Sequence, residues 1–248
     1  MHPVLFHFYA LTIYTYGFFV ALAVLIAYFL AHLRARATDL DPSIAADFVF
    51  VLFVSGVIGA RCFYVFQHLE DYQGQLLKIF SIPEGGLVWY GGFLMAALTG
   101  LVIALWKRWP FLRLCDLLAP IIPLAHAIGR FGCFFNGCCF GRPTHSRVGV
   151  VFEYGDVPRL PTQLFEAAGL LVLSLGLFYF SRKKRLAGES FILYLAGYGV
   201  FRFFIEFLRG DQKGYYFLTV PQWTSVLLFF GALFLFVMIQ KNQRRKQS

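Results

Sequence analysis

The side chains best suited to binding or catalysis lie in an apolar segment near the end of the chain. Glu206 follows Arg202 by four residues and Arg209 follows it by seven, so the three side chains share one face of a predicted helix. A charge at the centre of a bilayer costs about 2.5–3.5 kcal/mol on insertion scales, so these residues need a partner or a function. Two arginines against one glutamate leave a positive charge, which suits a phosphate group. The alternative is a salt bridge that only fastens two helices.

A second candidate site is the glycine-rich segment Gly129-Arg-Phe-Gly-Cys-Phe-Phe-Asn-Gly-Cys-Cys-Phe-Gly-Arg142. Glycines permit sharp turns and let backbone N–H groups approach an anion. Arg130 supplies a cation at the start of the segment, and the Asn136 amide offers both a donor and an acceptor. The sequence therefore predicts a loop that holds a phosphate.

Three of the five cysteines lie in this loop, namely Cys133, Cys138 and Cys139. They could bind a metal, but zinc sites usually match one Cys pair with a second pair, which is absent unless His126 or His145 contributes. Two of them could form a disulfide on an oxidising side of a membrane. Small packing thiols are the favoured interpretation, so we predict no metal at these cysteines.

Arg61 is a further ionisable residue within an apolar segment. It follows Gly56, Gly59 and Ala60, and small residues of this kind let another helix approach closely. Tyr64 lies three residues further on the same predicted face. We include Arg61 among the candidate substrate-binding residues.

The elements that position these residues are predicted to be membrane-spanning helices. Of the 248 residues, 59% are hydrophobic and 14% are charged, whereas soluble domains carry about 25% charged residues. The mean hydropathy is +0.67. The composition predicts an all-α polytopic membrane bundle that forms a single domain over residues 1–248. The net charge of +9 is explained by loops beside apolar spans, so we predict no nucleic-acid binding.

Seven segments approach the length of about 20 apolar residues that a spanning helix needs. The fourth is the shortest, contains Pro120 and Pro123, and is predicted to be bent or half-buried. The predicted spans are Leu11–Leu33, Ala46–Phe66, Val88–Trp106, Asp116–Ile128, Gln163–Phe180, Phe191–Leu208 and Pro221–Gln240.

Basic residues predict the orientation of the bundle. With seven spans, every cluster of Lys and Arg falls on one side, which is predicted to be the cytoplasm, with the N-terminus outside and the C-terminus inside. The longest connections then lie on the outer side, where we expect the chemistry. The clusters are Arg34 and Arg36; Lys107, Arg108 and Arg113; Arg182, Lys183, Lys184 and Arg185; and Lys241, Arg244, Arg245 and Lys246.

Seven motifs, in order along the chain, resemble those of the prolipoprotein diacylglyceryl transferase family of bacterial inner membranes. The segment Gly129–Gly141 resembles the family signature Gly-Arg-x-Gly-Asn-x-x-Asn-x-Glu-x-x-Gly. Seven ordered matches are far more specific than any one of them. The other six are Tyr14-Thr-Tyr-Gly17, Gly59-Ala-Arg-Cys-Phe-Tyr64, Gly85-Gly-Leu-Val-Trp-Tyr-Gly-Gly92, Asp116-Leu-Leu-Ala-Pro120, Pro161-Thr-Gln-Leu-Phe-Glu166 and Phe201-Arg-x-x-x-Glu-x-x-Arg209.

The resemblance implies a multi-pass enzyme of the bacterial inner (plasma) membrane. It implies transfer of an sn-1,2-diacylglyceryl group from phosphatidylglycerol to the lipobox cysteine thiol of a preprolipoprotein, the first step of lipoprotein maturation. The implied partners are phosphatidylglycerol, the signal peptide and lipobox of the preprolipoprotein, and the bilayer, with no metal or redox cofactor. Carried over by position, the catalytic candidates are Arg130, Arg202, Glu206 and Tyr90, and the substrate-binding candidates are Tyr16, Arg61, Asn136, Gly141 and Arg209.

The chain departs from the family pattern at three of these motif positions. Tyr90 stands where the family has a His, Cys133 where it has an Asn, and Cys138 where it has a Glu. Tyrosine, with an ordinary pKa of about 10, is a weak base near neutrality unless a cation assists it. A related transferase with another acceptor, or a thiol-redox or metal-handling membrane protein that uses Cys133, Cys138 and Cys139, are therefore alternatives. A lipid-binding transporter is a weaker one, because the chain shows no internal repeat.

Overall fold

Helices make up most of the computed structural model, which describes residues 3–8, 11–38, 40–72, 74, 78–79, 86–152, 157–183, 186–210 and 217–247. Gly85, Lys184 and Arg185, which belong to a motif and a basic cluster, lie outside these residues. A two-stranded antiparallel sheet, β1 (Val4–Phe8) and β2 (Leu11–Tyr14), precedes the helices. The helices are α1 (Thr15–Ala35), α2 (Pro42–Gln67), α3 (Trp89–Trp106), α4 (Phe111–Leu118), α5 (Ile121–Phe135), α6 (Thr162–Phe180), α7 (Glu189–Ile205) and α8 (Val220–Gln247).

The helices confirm the predicted all-α polytopic architecture. Among the described residues, six helices are long and apolar enough to cross a membrane, and α4 with α5 makes a seventh if this bent pair is one span. The two members of the pair meet at an angle of 44°. The orientation of the termini stays a prediction.

The first span begins later than predicted. Residues Leu11–Tyr14 form a strand with Val4–Phe8 instead of the start of a helix, and α1 begins at Thr15. The physical reason is local, because Leu-Thr-Ile-Tyr is rich in β-branched and aromatic residues that favour an extended backbone. A hydrogen bond of 3.0 Å from the Thr15 N–H to the Pro3 carbonyl ties the sheet to the helix start.

The fourth predicted span is bent at its proline. The break between α4 and α5 falls at Ala119 and Pro120, because the ring of a proline disfavours helical geometry in the residue before it. The buried Ser174 hydroxyl of α6 donates to the Pro120 carbonyl over 2.7 Å and so ties the break to α6. The bent pair also extends beyond the predicted span Asp116–Ile128, since it begins at Phe111 and ends at Phe135. The ends of α2, α3, α6 and α7 lie within a few residues of the predicted bounds, and α8 continues to Gln247.

The chain divides into two compact units, while the predicted single domain stays a prediction. One unit comprises residues 28–114 and contains α2 and α3. These helices cross at small residues, since a Cβ atom at Gly59 would lie 2.6 Å from the Gly91 carbonyl oxygen. A Cβ atom at Gly91 would in turn lie 2.7 Å from the Gly59 carbonyl oxygen. The predicted small-residue face is therefore a helix-packing surface.

The other unit comprises residues 1–27 and 115–248, and it contains α5 to α8. In it α6 packs against both α5 and α7, and α7 packs against α8. Its core includes Ala127, Ala167 and Leu170, all buried. Gly169 lets the Phe201 ring lie directly on α6, and this contact brings the polar end of α7 beside α6.

Candidate functional site

Glu166 is the centre of a buried cluster of charges. Its side chain on α6 is 2% exposed and contacts three guanidinium groups. Arg130 Nε of α5 lies 2.5 Å from Oε2. Arg202 Nη1 and Arg209 Nη1 lie 3.3 Å and 3.2 Å from Oε1. A single carboxylate thus joins the three arginines that were predicted to bind an anion.

A second carboxylate, Glu206, fastens two of the same arginines. Arg202 Nη2 lies 2.7 Å from Glu206 Oε2, and Arg209 Nε lies 3.9 Å from the same atom. The Thr219 hydroxyl donates to Glu206 Oε1 over 2.8 Å. Both oxygens of Glu206 therefore have close partners, which fix the carboxylate.

The end of α7 sets the direction of Arg209. The α-helix ends at Ile205, and residues Glu206–Leu208 form a short 3-10 helix in place of the predicted last α-helical turn. Arg209 follows with extended backbone angles, φ −75° and ψ 147°. Because Arg209 leaves the helix, its guanidinium group reaches Glu166 on α6 as well as Glu206 on its own segment.

Among the described residues, the arginines of the cluster outnumber its carboxylates. Within the part of the chain that the structure describes, three guanidinium groups face two carboxylates, and the most exposed of the arginine side chains is 13% exposed. The ion pairs do join α5, α6 and α7, as the salt-bridge alternative proposed. A buried positive charge in excess is nevertheless costly unless an anion neutralises it. The arrangement can therefore fasten helices and hold an anion as well.

The glycine-rich segment is only partly a loop, because residues 129–135 continue α5, in contrast to the loop predicted from Gly129. The loop that follows Phe135 packs tightly against the segment that carries Arg209. The Gly141 N–H donates to the Leu160 carbonyl over 2.8 Å, and the Arg142 N–H donates to the Leu208 carbonyl over 3.0 Å. A Cβ atom at Gly141 would lie 2.6 Å from the Leu208 carbonyl oxygen, so only glycine fits. Gly141 thus holds the loop and Arg209 together by close backbone contact.

The three loop cysteines come together at the end of α5. The Sγ atoms of Cys133, Cys138 and Cys139 all lie within 4.8 Å of one another, and the thiols are free. The disulfide alternative is therefore absent from the structure. Hydrogen bonds from the Cys133 and Cys138 thiols lower the pKa of the Cys139 thiol, and the positive charges of Arg209 and Arg130 add to this effect.

Tyr16 and Asn136 lie beside this loop in the same unit. A Cβ atom at Gly132 of α5 would lie 3.3 Å from Tyr16 Cδ2, so the glycine makes room for the ring. Tyr16 is 43% exposed. Asn136 follows the last residue of α5, and its side chain hydrogen-bonds the Cys138 thiol. Both predicted residues therefore adjoin the cysteines.

Arg61 and Tyr90 belong to the other unit. The buried Arg61 donates to three backbone carbonyls, those of Ile79, Lys78 and Gly86, over 2.7 Å, 2.8 Å and 3.1 Å. These contacts anchor the chain that precedes α3. Tyr90 is the second residue of α3 and packs edge-on against Trp89, with ring centroids 5.2 Å apart. Their roles in substrate binding and catalysis stay predictions.

Sequence reasoning left three buried residues of α6 out of the site. All three belong to the motif Pro161-Thr-Gln-Leu-Phe-Glu166, and the charge of Glu166 in an apolar span is a signal that could have included it. Gln163 and Thr162 carried no such signal. The Gln163 amide donates to the Cys138 carbonyl over 2.6 Å, and the Thr162 hydroxyl donates to the Cys139 carbonyl over 3.0 Å. Only tertiary structure reveals these contacts.

Apolar helices long enough to cross a membrane, with a buried cluster of arginines and carboxylates between them, define a multi-pass membrane protein with a charged site. A family model described as prolipoprotein diacylglyceryl transferase matches residues 3–238. The chain therefore belongs to this family of transferases, which confirms the family predicted from the motifs.

Curated relatives carry matching names. The chain is 32% identical to the phosphatidylglycerol–prolipoprotein diacylglyceryl transferase of Clostridium tetani, over 95% of this chain and 97% of that protein. It is 38% identical to the enzyme of the same name from Geobacter sulfurreducens, over 84% of this chain and 82% of that protein. A third, from Parasynechococcus marenigrum, is 37% identical over 84% and 80%.

Proposed function

We propose that this enzyme transfers a diacylglyceryl group from phosphatidylglycerol to a cysteine thiol of a prolipoprotein and releases glycerol phosphate. The observation that carries the proposal is the convergence of Arg130, Arg202 and Arg209 on one buried carboxylate, Glu166, among membrane helices. The names of the relatives supply the donor and the acceptor.

The reaction exchanges one bond for another at a glyceryl carbon. The acceptor sulfur forms a C–S bond, the C–O bond to the phosphate breaks, and its electron pair leaves on the phosphate oxygen. The thiol proton is released. Negative charge on the phosphate increases as the bond breaks, and guanidinium N–H groups held in a buried site stabilise it without reorganising.

The two carboxylates act as positioning residues in this proposal. Glu166 holds three guanidinium groups near one another, and Glu206 fixes Arg202 and Arg209 from the other side. Since Arg202 and Thr219 occupy the oxygens of Glu206, this carboxylate orients an arginine more readily than it accepts the proton of the thiol.

The acceptor is the lipobox cysteine of a preprolipoprotein, and the reaction takes place at the outer face of the bacterial inner membrane. The ordered motifs support the acceptor, and the distribution of Lys and Arg supports the location. The loop that carries Gly141 and the segment that carries Arg209 belong to the long connections predicted for that face.

The test uses membranes that contain this protein, phosphatidylglycerol labelled in its glyceryl group, and a lipobox peptide. We expect Arg130→Ala and Arg202→Ala each to reduce transfer of label by about 100-fold or more, as the loss of one charge-stabilising donor does in other enzymes. The matched control is Arg182→Ala, an exposed arginine just beyond α6, which should leave the rate unchanged. If neither cluster variant slows transfer, the proposed phosphate-binding role is wrong.

A transferase with a different acceptor is the second candidate, because Tyr90, Cys133 and Cys138 replace family residues. A complementation experiment distinguishes these two candidate functions. Cells depleted of their own transferase should recover lipoprotein maturation when they express this chain. Cells that stay deficient, together with label transferred from phosphatidylglycerol to a different protein, would favour the second candidate.

A further inference from the structure

The cysteine cluster at the end of α5 has no part in the reaction as proposed so far. The Sγ atoms of Cys133, Cys138 and Cys139 lie within 4.8 Å of one another. Tetrahedral zinc, with Zn–S bonds of about 2.3 Å, sets its sulfur ligands roughly 3.8 Å apart. Small rotations of the side chains would therefore bring all three sulfur atoms to one ion.

The backbone has the shape that this cluster requires. Neighbouring side chains on an extended chain point to opposite sides, so Cys138 and Cys139 would ordinarily be separated. Instead, Cys139 has a φ of +61°, a left-handed conformation that is uncommon for a residue other than glycine, and Gly137 has a φ of +70°. The resulting turn places both thiols beside Cys133, and such strain typically occurs where function requires it.

Buried side chains of α6 hold this turn in place. Gln163 binds the Cys138 carbonyl and Thr162 binds the Cys139 carbonyl, and both side chains are fully buried. In metal sites, side chains that hydrogen-bond the ligand residues fix the orientation of the ligands. The cluster is therefore built into the packing of the unit and is not an accident of a surface loop.

The surroundings suit thiolate ligands with one position open. Arg209 lies close to this loop, because its backbone pairs with that of Gly141 in an isolated β-bridge, so a positive charge stands near the loop. Cys133 is buried, whereas Cys138 and Cys139 remain partly exposed, so another group can reach the sulfur atoms. Three protein ligands with an open fourth position is the arrangement of catalytic zinc sites.

We propose that Cys133, Cys138 and Cys139 bind one Zn²⁺ ion, or a similar thiophilic dication, and that its fourth position takes the acceptor thiol. This inference rests on the proposed function, because the acceptor there is a cysteine. A thiol that binds zinc loses its proton, here to water, and remains a nucleophilic thiolate. Its sulfur then forms the C–S bond while the C–O bond to the phosphate breaks and the electron pair leaves with the phosphate oxygen.

The departures from the family pattern agree with this assignment. Cys138 replaces a Glu and Tyr90 replaces a His, so two side chains that could accept a proton are missing. Cys133 and Cys138 in turn supply two of the thiolates. A metal that activates the acceptor thiol would replace a general base. The cysteines at positions 133 and 138, where the family has Asn and Glu, are then both explained by a change from a general base to a metal.

The first test measures metal binding by the purified full-length protein in detergent, stripped with a chelator and titrated with Zn²⁺ or Co²⁺ alone. We expect one equivalent to bind, and Co²⁺ to show a thiolate-to-metal absorption band. Cys138→Ser should lose the band, whereas Cys62→Ser and Cys115→Ser, which change cysteines outside the cluster, should keep it. An absent band in the unaltered protein, or an unchanged band in Cys138→Ser, overturns the site.

A second variant tests whether a lost absorption band in Cys138→Ser could result from misfolding. The double substitution Cys133→Asn with Cys138→Glu introduces the residue types of the family signature and should therefore fold. We expect its metal affinity to fall by more than about tenfold, since two of three ligands are lost. Binding of one equivalent with unchanged affinity would refute the assignment.

The second test addresses the open position. A lipobox peptide should change the Co²⁺ spectrum, and the same peptide with Ser in place of its Cys should not. Transfer of labelled diacylglyceryl should fall by about tenfold or more on metal removal and return with Zn²⁺. Transfer that is indifferent to metal overturns the inference and leaves the proposed function intact. A spectrum that responds to the peptide, without any transfer by the loaded enzyme, overturns the proposed function instead.

Discussion

Glu166 is the residue on which the charged cluster depends. It is buried in α6 and contacts guanidinium groups from α5 and from the end of α7. Burial of an ion pair gives little net stability, but removal of one partner leaves an uncompensated charge in a medium of low dielectric constant. The contribution of Glu166 is therefore best seen when it is removed.

We predict that Glu166→Gln lowers the free energy of unfolding by about 3–5 kcal/mol, because three guanidinium groups lose their common carboxylate. Thermal unfolding of the purified protein in detergent measures this loss. Glu70→Gln is the matched control, since Glu70 is exposed, and it should change stability by less than about 0.5 kcal/mol. Equal stability of the two variants would show that Glu166 does not balance the arginines.

The arginines of the site could be predicted from single residues, whereas the side chains that hold the cysteine loop could not. Arg130, Arg202 and Arg209 attract notice because a charge in an apolar span needs a reason. Gln163 and Thr162 are ordinary polar residues at a helix start, and their bonds to the cysteine carbonyls depend on how α6 meets the loop. Sequence spacing alone does not contain that contact.

Helix packing depends on where glycines permit close approach. On α6, Gly169 faces the Phe201 ring, which precedes Arg202, whereas Gly176 has no neighbouring atom within 4 Å of the position of a Cβ. The two glycines therefore provide a matched pair on one helix.

We predict that Gly169→Ala destabilises the protein by about 1–3 kcal/mol, because the added methyl group meets the Phe201 ring. Displacement of that ring should also reduce transferase activity, since Arg202 is the next residue. Gly176→Ala should leave activity unchanged and raise stability by about 0.5–1 kcal/mol through its better helix propensity. Thermal unfolding and the transfer assay check both variants, and equal effects of the two would contradict the packing argument.

The length of the apolar segments predicts which parts of the chain form helices, but it predicts the terminal residues of those helices less accurately. The spans on α2, α3 and α6 lie within a few residues of the predicted bounds, because hydropathy directly reports the requirement for burial in lipid. The strand Leu11–Tyr14 was assigned to a helix, because apolar length alone does not separate a short segment of β-branched and aromatic residues from the start of a spanning helix. The short 3-10 helix Glu206–Leu208 likewise depends on contacts of Arg209 beyond the helix.

At the scale of the whole molecule, the number of spans determines which side each loop faces. The bent pair α4 and α5 decides the count between six and seven spans. With seven, the basic clusters share the cytoplasmic side.

We predict that green fluorescent protein fused to the C-terminus fluoresces in bacterial cells, and that alkaline phosphatase fused there is inactive, because the basic clusters predict that this end is cytoplasmic. A truncated fusion of alkaline phosphatase after His68, which follows α2, should be active. Fluorescence and phosphatase activity of the paired fusions measure the orientation. Phosphatase activity at the C-terminus would mean an even number of spans or an inverted protein.

The two guanidinium groups that share Glu166 Oε1 have a consequence for substrate exchange. When no lipid headgroup is present, the Glu166 carboxylate is the counter-ion of these guanidinium groups, so they are not buried without a negative charge. If these groups bind the donor phosphate as proposed, an arriving headgroup competes with that oxygen for the same N–H donors, and the carboxylate binds them again when glycerol phosphate departs. We therefore expect moderate occupancy by donor lipid and turnover that does not stall on a tightly held product.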